Sequence, residues 1–275
     1  MVAKVTRDGR IVFWEGGSLW AFDVLPDLQN RTNKTHSHHA VQLSFAAGGS
    51  VGIWTTDGLV PGPVILVAPD VPHALQPEGK IAHIFVDPES RSGARLKEML
   101  DGRSAIQLHG MPDFAAELAL LWELPIPSDI DMVGLGQTIL SRAIGRVIAD
   151  QAFKIDRRVL RVLSFLGDPE VGEMTLSEAA DIACLSESRF SHLFVEEVGL
   201  PFRTFLLWRR MSRAVSLLSS GNSLTEAAHD AGFADSAHFS RTFLRMFGLP
   251  AAALELAPPK ISLPRAASVS AACRP

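Results

Sequence analysis

TLSEAADIACLSESRFSHLFVEEVGLP, residues 175–201, returns almost unchanged as SLTEAAHDAGFADSAHFSRTFLRMFGLP, residues 223–250. Thr175/Ser223, Leu176/Leu224, Glu178/Glu226 and Ala179-Ala180/Ala227-Ala228 match at one offset. Phe190/Phe239, Ser191/Ser240, Phe194/Phe243, Gly199/Gly248 and Pro201/Pro250 match at an offset one residue larger, which puts the extra residue in a turn. Thr175-x-x-Glu178 and Ser223-x-x-Glu226 are capping boxes, in which hydroxyl and carboxylate satisfy the free amides that open a helix. The alanines behind each cap leave no bulk. A second helix can therefore cross closely after a turn, at Cys184-Leu185-Ser186 in one copy and Gly232-Phe233-Ala234-Asp235 in the other. Phe190/Phe194 and Phe239/Phe243 recur at i, i+4 and form the buried stripe of each second helix. The pattern predicts two helix-turn-helix units.

Ser188, Arg189, Ser191 and His192 are then left facing outward, with Ser236, Ala237, Ser240 and Arg241 as their counterparts. Small polar and cationic side chains near a helix N-terminus suit major-groove readout, since Arg pairs with guanine and Ser with several base edges. Between the copies, residues 202–219 have no internal Gly or Pro and follow Pro201, as a helix prefers. At ~1.5 Å per residue this linker helix is roughly 27 Å long. That span lets two units address successive major-groove segments on one face of a duplex, about 34 Å apart. Phe202, Phe205, Leu206, Met211, Ala214, Val215 and Leu218 lie along one stripe of it, with Arg209, Arg210 and Arg213 mostly off it.

Residues from about 156 to 254 resemble the DNA-binding domain of the AraC/XylS family of bacterial transcriptional regulators. The likeness rests on Gly232-Phe233, on Ser236-x-x-Phe239-Ser240-Arg241-x-Phe243 and on Phe247-Gly248-x-Pro250. It implies base contacts at Ser188, Ser191 and His192 in the first unit and at Ser236, Ala237, Ser240 and Arg241 in the second. Ala252, Ala253 and Leu254 depart from the family's aromatic-Arg ending, and His238 from a usual Tyr. Residues 156–257 are slightly more acidic than basic, so Arg189, Arg203, Arg209, Arg210, Arg213, Arg241 and Arg245 must gather on one face to meet phosphates.

The bulk properties agree with a bacterial regulator. The 275 residues carry a net charge of −4 and two cysteines, Cys184 and Cys273, which make no disulfide framework. The charged start MVAKVTRDGR has no apolar signal core, and no apolar run approaches ~20 residues. A cytoplasmic protein without membrane contact is expected.

The first half has another texture. Short β-rich runs, IVFW, VQLSF, SVGIW, PVILVAP and AHIFVD, alternate with Gly, Pro and Asp turns over residues 11–87 and predict an antiparallel sandwich or barrel. Within them lie His36-Ser37-His38-His39, Gln42, Pro69-Asp70-Val71-Pro72-His73 and His83. On a strand, positions 36, 38 and 42 share a face and can converge with His73 from a neighbour. This resembles a cupin motif over residues 11–88, with Gln42 at the usual carboxylate position and Asp70 at a usual glycine. A cupin-like domain is also the sensory domain that the AraC/XylS resemblance implies. His36, His38, Gln42, Trp54 and His73 are the candidate effector-binding residues, and His36, His38 and His73 the candidate metal ligands. Imidazoles suit divalent Zn, Ni, Cu or Fe, yet the same histidines serve equally as a hydrogen-bonding pocket wall. Strand phase adds a further alternative. Val41, Leu43 and Phe45 form the apolar face, and if it lined the barrel, His39 would point in and His36 and His38 out.

After the strands, residues 92–100, 112–123 and 132–153 have helical periodicity, broken at Pro125-Ile126-Pro127. Phe114, Leu118, Leu121, Trp122, Met132, Leu135, Ile139, Ala143, Ile144, Val147 and Ile148 present more apolar surface than a small barrel needs; a homodimer interface is the expected use of some of it, with packing against the barrel the alternative for any one residue. The expected division is thus a cupin-like effector domain over 1–105, a helical dimerisation and linker region over 106–154, the two-unit DNA-binding domain over 155–257 and a flexible Ala/Ser/Pro-rich tail over 258–275. The fold class is α+β, an antiparallel barrel followed by helices and then an all-α domain. The expected function is a transcriptional regulator that binds double-stranded DNA and answers to a small molecule or a divalent metal, not an enzyme, with RNA polymerase a candidate further partner. Two alternatives stand beside it: a cupin metalloenzyme fused to DNA-binding helices, and an architectural DNA binder with no effector.

Overall fold

The computed structural model describes residues 6–14, 16–25, 32–47, 50–109, 114–122, 128–145, 155–167 and 174–253. The Pro125-Ile126-Pro127 break, Val147, Ile148 and the tail lie outside them. Nine strands are described: β1 (Thr6–Trp14), β2 (Gly17–Val24), β3 (Val41–Ala46), β4 (Val51–Thr55), β5 (Gly58–Gly62), β6 (Val64–Val67), β7 (Ala74–Pro77), β8 (Lys80–Val86) and β9 (Ala105–Gln107). All pairings are antiparallel. They make a six-stranded sheet in the order β1-β2-β8-β3-β6-β9 and a three-stranded sheet in the order β5-β4-β7. The expected barrel is therefore not closed. Residue 62 ends β5 and residue 64 starts β6, so the chain changes sheet there without joining the two by a ladder.

Strand periodicity explains why the runs look uniformly apolar. In β2, Leu19 and Ala21 enter one core while Trp20, Phe22 and Val24 enter another; in β8, Ala82, Ile84 and Val86 oppose Ile81 and Phe85. Both faces of the large sheet are covered, so neither can be polar throughout. The first face lies under α1 (Arg91–Leu100), α2 (Ala115–Ala119) and α3 (Asp129–Ile144), with Val41, Leu43 and Phe45 in its core. This decides the strand phase. The Val41-Leu43-Phe45 face packs beneath helices, and Gln42 and Ser44 turn to the opposite side, where Ser44 pairs with His83 across β3 and β8. The small sheet covers part of that side, its Val51 and Ile53 packing with Ile65 and Val67 of β6.

The same packing revises the expected dimer surface. Phe114, Leu118, Leu121, Met132, Ile139 and Ala143 are buried within the chain's own core. What stays exposed nearby is Leu120 and Ile130.

The C-terminal helices are α4 (Arg157–Gly167), α5 (Leu176–Ile182), α6 (Glu187–Val198), α7 (Phe202–Ser219), α8 (Leu224–Asp230) and α9 (Ser236–Phe247). Both capping boxes form: the Thr175 and Ser223 hydroxyls accept from the Glu178 and Glu226 amides, and the glutamates accept in return. The turns use a left-handed residue at equivalent places, Cys184 at φ 54° and Gly232 at φ 81°. Helix α7 is shared. Its Phe202 and Phe205 join the α4–α6 core, whereas Trp208, Met211, Ala214 and Val215 join the α8–α9 core. That second core does not end with the helices. It continues into Ile11, Trp20, Phe22, Ile81 and Phe85 of the large sheet, so the second helix pair is built onto the β-domain and the first is not.

Thr175→Ala and Ser223→Ala should each lower the unfolding free energy by about 1 kcal/mol, because each removes a hydroxyl cap. Urea denaturation at constant m-value checks this; losses near zero would mean that neither box stabilises its helix.

Candidate functional site

Where the second face of the large sheet meets α9, the structure holds a cavity of about 360 Å³. Its walls are mostly apolar: Trp20, Phe22, Ile81 and Phe85 from the sheet, and Phe243, Leu244 and Phe247 from α9. Polar groups enter from Lys34, His36, Gln42 and His83. A concave, largely apolar space with a few convergent polar groups is the usual form of a small-molecule site.

The α9 wall is held in place through its own unfinished hydrogen bonds. The last carbonyls of any helix lack partners within it. Here Asn33 Nδ2 donates to the Phe247 carbonyl at 3.1 Å, and the Lys34 amide donates to that of Gly248 at 3.0 Å. Asn33 also exchanges bonds with Leu75, its amide donating to the Leu75 carbonyl and its Oδ1 accepting from the Leu75 amide. One extended segment thus connects β7 to the end of α9. Contact is so close that a Cβ on Gly248 would stand 2.2 Å from the Lys34 carbonyl oxygen.

Two residues further along, His36 forms an isolated bridge with His73, each amide donating to the other's carbonyl at 2.9 Å. His36, His38 and His73 are all buried and converge, with one nitrogen of each within 4.8 Å of the others. Each ring is anchored at its other nitrogen. His36 Nδ1 donates to the Lys34 carbonyl (2.9 Å), His73 Nδ1 to the Val71 carbonyl (2.8 Å) and His38 Nε2 to Gln42 Oε1 (2.8 Å). Gln42 Nε2 in turn donates to Ser44 Oγ, which bonds His83 Nδ1. Burial, reinforced by the neighbouring imidazoles, pushes His36 down to about 3 and His38 well below the usual range, and burial lowers His73. Neutral rings with one N–H committed leave His36 Nε2, His38 Nδ1 and His73 Nε2 as bare lone pairs. Two of these, His38 Nδ1 and His73 Nε2, are buried without a hydrogen-bond partner. The donor set fits a divalent transition metal, and Gln42 orients His38 instead of ligating.

His39 points away from its neighbours. Its Nδ1 donates to Asp70 at 2.8 Å and its Nε2 to Glu89 at 2.7 Å. Burial works against its charge, but the two carboxylates outweigh it and raise the imidazole to about 9. It is a buried cation against Phe205 of α7, at 6.0 Å between rings.

The sequence-predicted residues therefore separate into groups. His36, His38, Gln42 and His73 come together. Trp54 does not join them: it is 43% exposed on the small sheet, donates to Gln76, and is absent from the cavity wall. Ser188, Arg189, His192, Ala237, Arg241 and Arg245 are exposed, with Ser191, Ser236 and Ser240 half-buried beside them, all on the outer sides of α6 and α9. Arg209 is engaged elsewhere, donating to the Leu166 carbonyl. The cavity wall of Phe22, Phe85, Leu244 and Phe247 was not foreseen, nor was the Asn33-Lys34 seam. Both hydrophobic sets are regular core-stripe positions with nothing local to mark them.

Residues 179–255 match a family model described as a helix-turn-helix domain. The arabinose operon regulatory protein of Escherichia coli (strain K12) is 29% identical over 123 residues, which are 44% of this chain and 42% of that protein, so the match spans less than half of the relative. The structure of ToxT from Vibrio cholerae O395 superposes with a TM-score of 0.52 at 13% identity, covering 86% of this chain and 96% of that one. An unsaturated fatty acid bound wild-type ToxT from V. cholerae strain SCE256 gives 0.50 at 12% identity, over 86% and 93%. These likenesses extend the shared fold across both halves of the chain.

Gly199 and Gly248 occupy the same left-handed position after α6 and α9, at φ 91° and 71°, but a Cβ on Gly199 would meet nothing. Gly199→Ala should cost only the left-handed backbone penalty, about 1–2 kcal/mol. Gly248→Ala should cost clearly more and expose the cavity, because the Lys34 backbone must move. Equal losses in urea unfolding would refute the docking of α9 described above.

Proposed function

We propose, from the premise that the C-terminal domain is a helix-turn-helix domain of the AraC type, that the chain is a DNA-binding transcriptional regulator whose β-domain receives a small effector. The observation that carries the reading is the double duty of α9. Its outer side presents Ser236, Ala237, Ser240 and Arg241 to solvent, while its inner side supplies Phe243, Leu244 and Phe247 to the cavity wall. A ligand in that cavity touches the helix assigned to base readout, and no longer route is needed between signal and DNA.

The effector implied is a mainly apolar molecule with a polar end, matched by the aromatic and aliphatic walls and by Lys34, His36 and His83. The fatty acid named for one structural neighbour agrees with that class. Ligand binding would stabilise whichever placement of α9 it fits better, by no more than its difference in affinity for the two placements. The first unit, with a core of its own, stays tied to the second through α7. The reading includes both helix pairs as DNA-gripping units, a homodimer on double-stranded DNA and contact with RNA polymerase. A cupin enzyme fused to DNA-binding helices is not retained, since Gln42 replaces the carboxylate ligand and is committed to His38 and Ser44.

Arg241→Ala should weaken binding to a duplex selected from random sequence by about 1–3 kcal/mol, the value of one good base pairing by arginine. Fluorescence anisotropy against salt, with footprinting, measures it. Unchanged affinity and footprint would remove α9 from the DNA interface.

A further inference from the structure

A second cavity, of about 230 Å³, lies where β1, α7, α8 and α9 meet. Its wall is Ile11, Val215, Leu218, Leu224 and Phe243, closed by Ala251 and Ala252 of a short 3-10 turn after α9. None of these side chains carries a hydrogen-bonding group, in contrast with Lys34, His36, Gln42 and His83 of the first cavity. Protein interiors are packed almost without voids, because the lining of an unfilled space forfeits its dispersion contacts. This space exceeds the ~150 Å³ of an apolar cavity that stays dry and admits benzene. Exposure is graded along the wall. Ile11, Val215 and Phe243 are buried, Leu218, Leu224 and Ala251 are half-buried, and Ala252 is exposed. The cavity thus has an inner end in the core and a mouth beside the turn, where two alanines supply only methyl groups. One ring joins it to the first cavity. Phe243 is a wall of both, and it packs on Phe247 at 4.7 Å between ring centres, which meets Trp20 at 4.9 Å.

We propose that the second cavity binds one compact, uncharged hydrocarbon, a single aromatic ring or an alkyl group of similar size, and that its occupant fixes the Phe243 ring. The ligand class follows from the wall. A charged or hydrogen-bonding group brought there would lose its hydration and find no side-chain partner, so acids, amines and alcohols are excluded. An apolar ligand leaves water and restores the dispersion contacts that the lining lacks. The effect on Phe243 follows from room. An empty space beside the ring lets it turn, and an occupant removes that space. Since the same ring bounds the first cavity, a filled second cavity holds the first to its present shape. Whatever the second ligand does to binding in the first cavity, the first must do equally to binding in the second. The site stands on the cavity alone. Its consequence for an effector and for DNA rests on the regulator reading, in which α9 carries both base readout and cavity wall.

The test uses full-length protein with isotope-labelled methyl groups, titrated with benzene as the probe. Nuclear Overhauser effects from benzene to the methyls of Leu218, Leu224 and Ala251 are expected. Leu75, Ile81 and Leu244 line the first cavity and not the second, so their methyls report binding there. Benzene seen at those three alone, or at none of the six, overturns the second site. Ala251→Leu fills the space and should weaken benzene binding at Leu218 and Leu224 at least tenfold. Ala252→Leu is the second filling variant, and circular dichroism establishes which of the two is folded. Unchanged affinity in a folded filling variant also overturns the site. The flip rate of the Phe243 ring reads the coupling: slowing by benzene of at least tenfold supports it, and unchanged flipping overturns it. None of these readouts involves DNA. Failure of the whole chain to bind any duplex would sink the regulator reading and leave the site standing, whereas missing Overhauser effects with duplex binding intact would do the reverse.

Discussion

Two carbonyl oxygens at the end of α9, those of Phe247 and Gly248, find their hydrogen bonds on Asn33 and Lys34 of the β-domain. A helix terminus otherwise turns to water or to its own cap for such partners. By taking them from another domain, α9 is fixed in position relative to the sheet, and the apolar residues of its inner side become one wall of a cavity. The second helix pair, the cavity and the histidine cluster all depend on that seam. The first helix pair does not, since its phenylalanines close around Val159, Val162 and Phe205.

The arrangement gives the two repeats unequal mechanical standing. Helix α7 carries Phe202 and Phe205 into the first core and Trp208, Met211, Ala214 and Val215 into the second, so the two pairs are joined by a continuous helix and not by a loop. Its midpoint also meets the β-domain, where Phe205 lies against the ring of His39 and the Trp208 side chain bonds Asp87. The His39 cation, held by Asp70 and Glu89, thus sits beside the junction of the two helical cores. Buried charge of this kind contributes position more than net stability.

Much of this was legible in the residues. Capping boxes, phenylalanine spacing and a Pro-initiated linker are local signals, and the helices formed where those signals stand, with α7 spanning Phe202–Ser219. His36, His38 and Gln42 do come together, although residues 37–40 are not strand and β3 begins only at Val41. Less accessible was the covering of the large sheet, because a strand buried on both faces has no polar alternation to reveal which face meets what. That is also why the apolar surplus of Phe114, Met132 and Ile139 looked like a subunit interface when it is the underside of the chain's own sheet. Trp54 shows the opposite error: an aromatic in a β-run was taken for a pocket wall, but its strand belongs to the small sheet.

Gly199 and Gly248 make the division plain. Sequence alone determined that the two are equivalent positions of the repeat, each after a phenylalanine-striped helix and before Leu-Pro. It also determined the repeat and the antiparallel strands. Only the tertiary structure decided that one of these two glycines is open to solvent while the other lies against Lys34 and His36. The reason is physical: capping and periodicity act between residues a few positions apart, whereas docking joins residue 34 to residue 248 through hydrogen bonds and apolar contacts that no local pattern records.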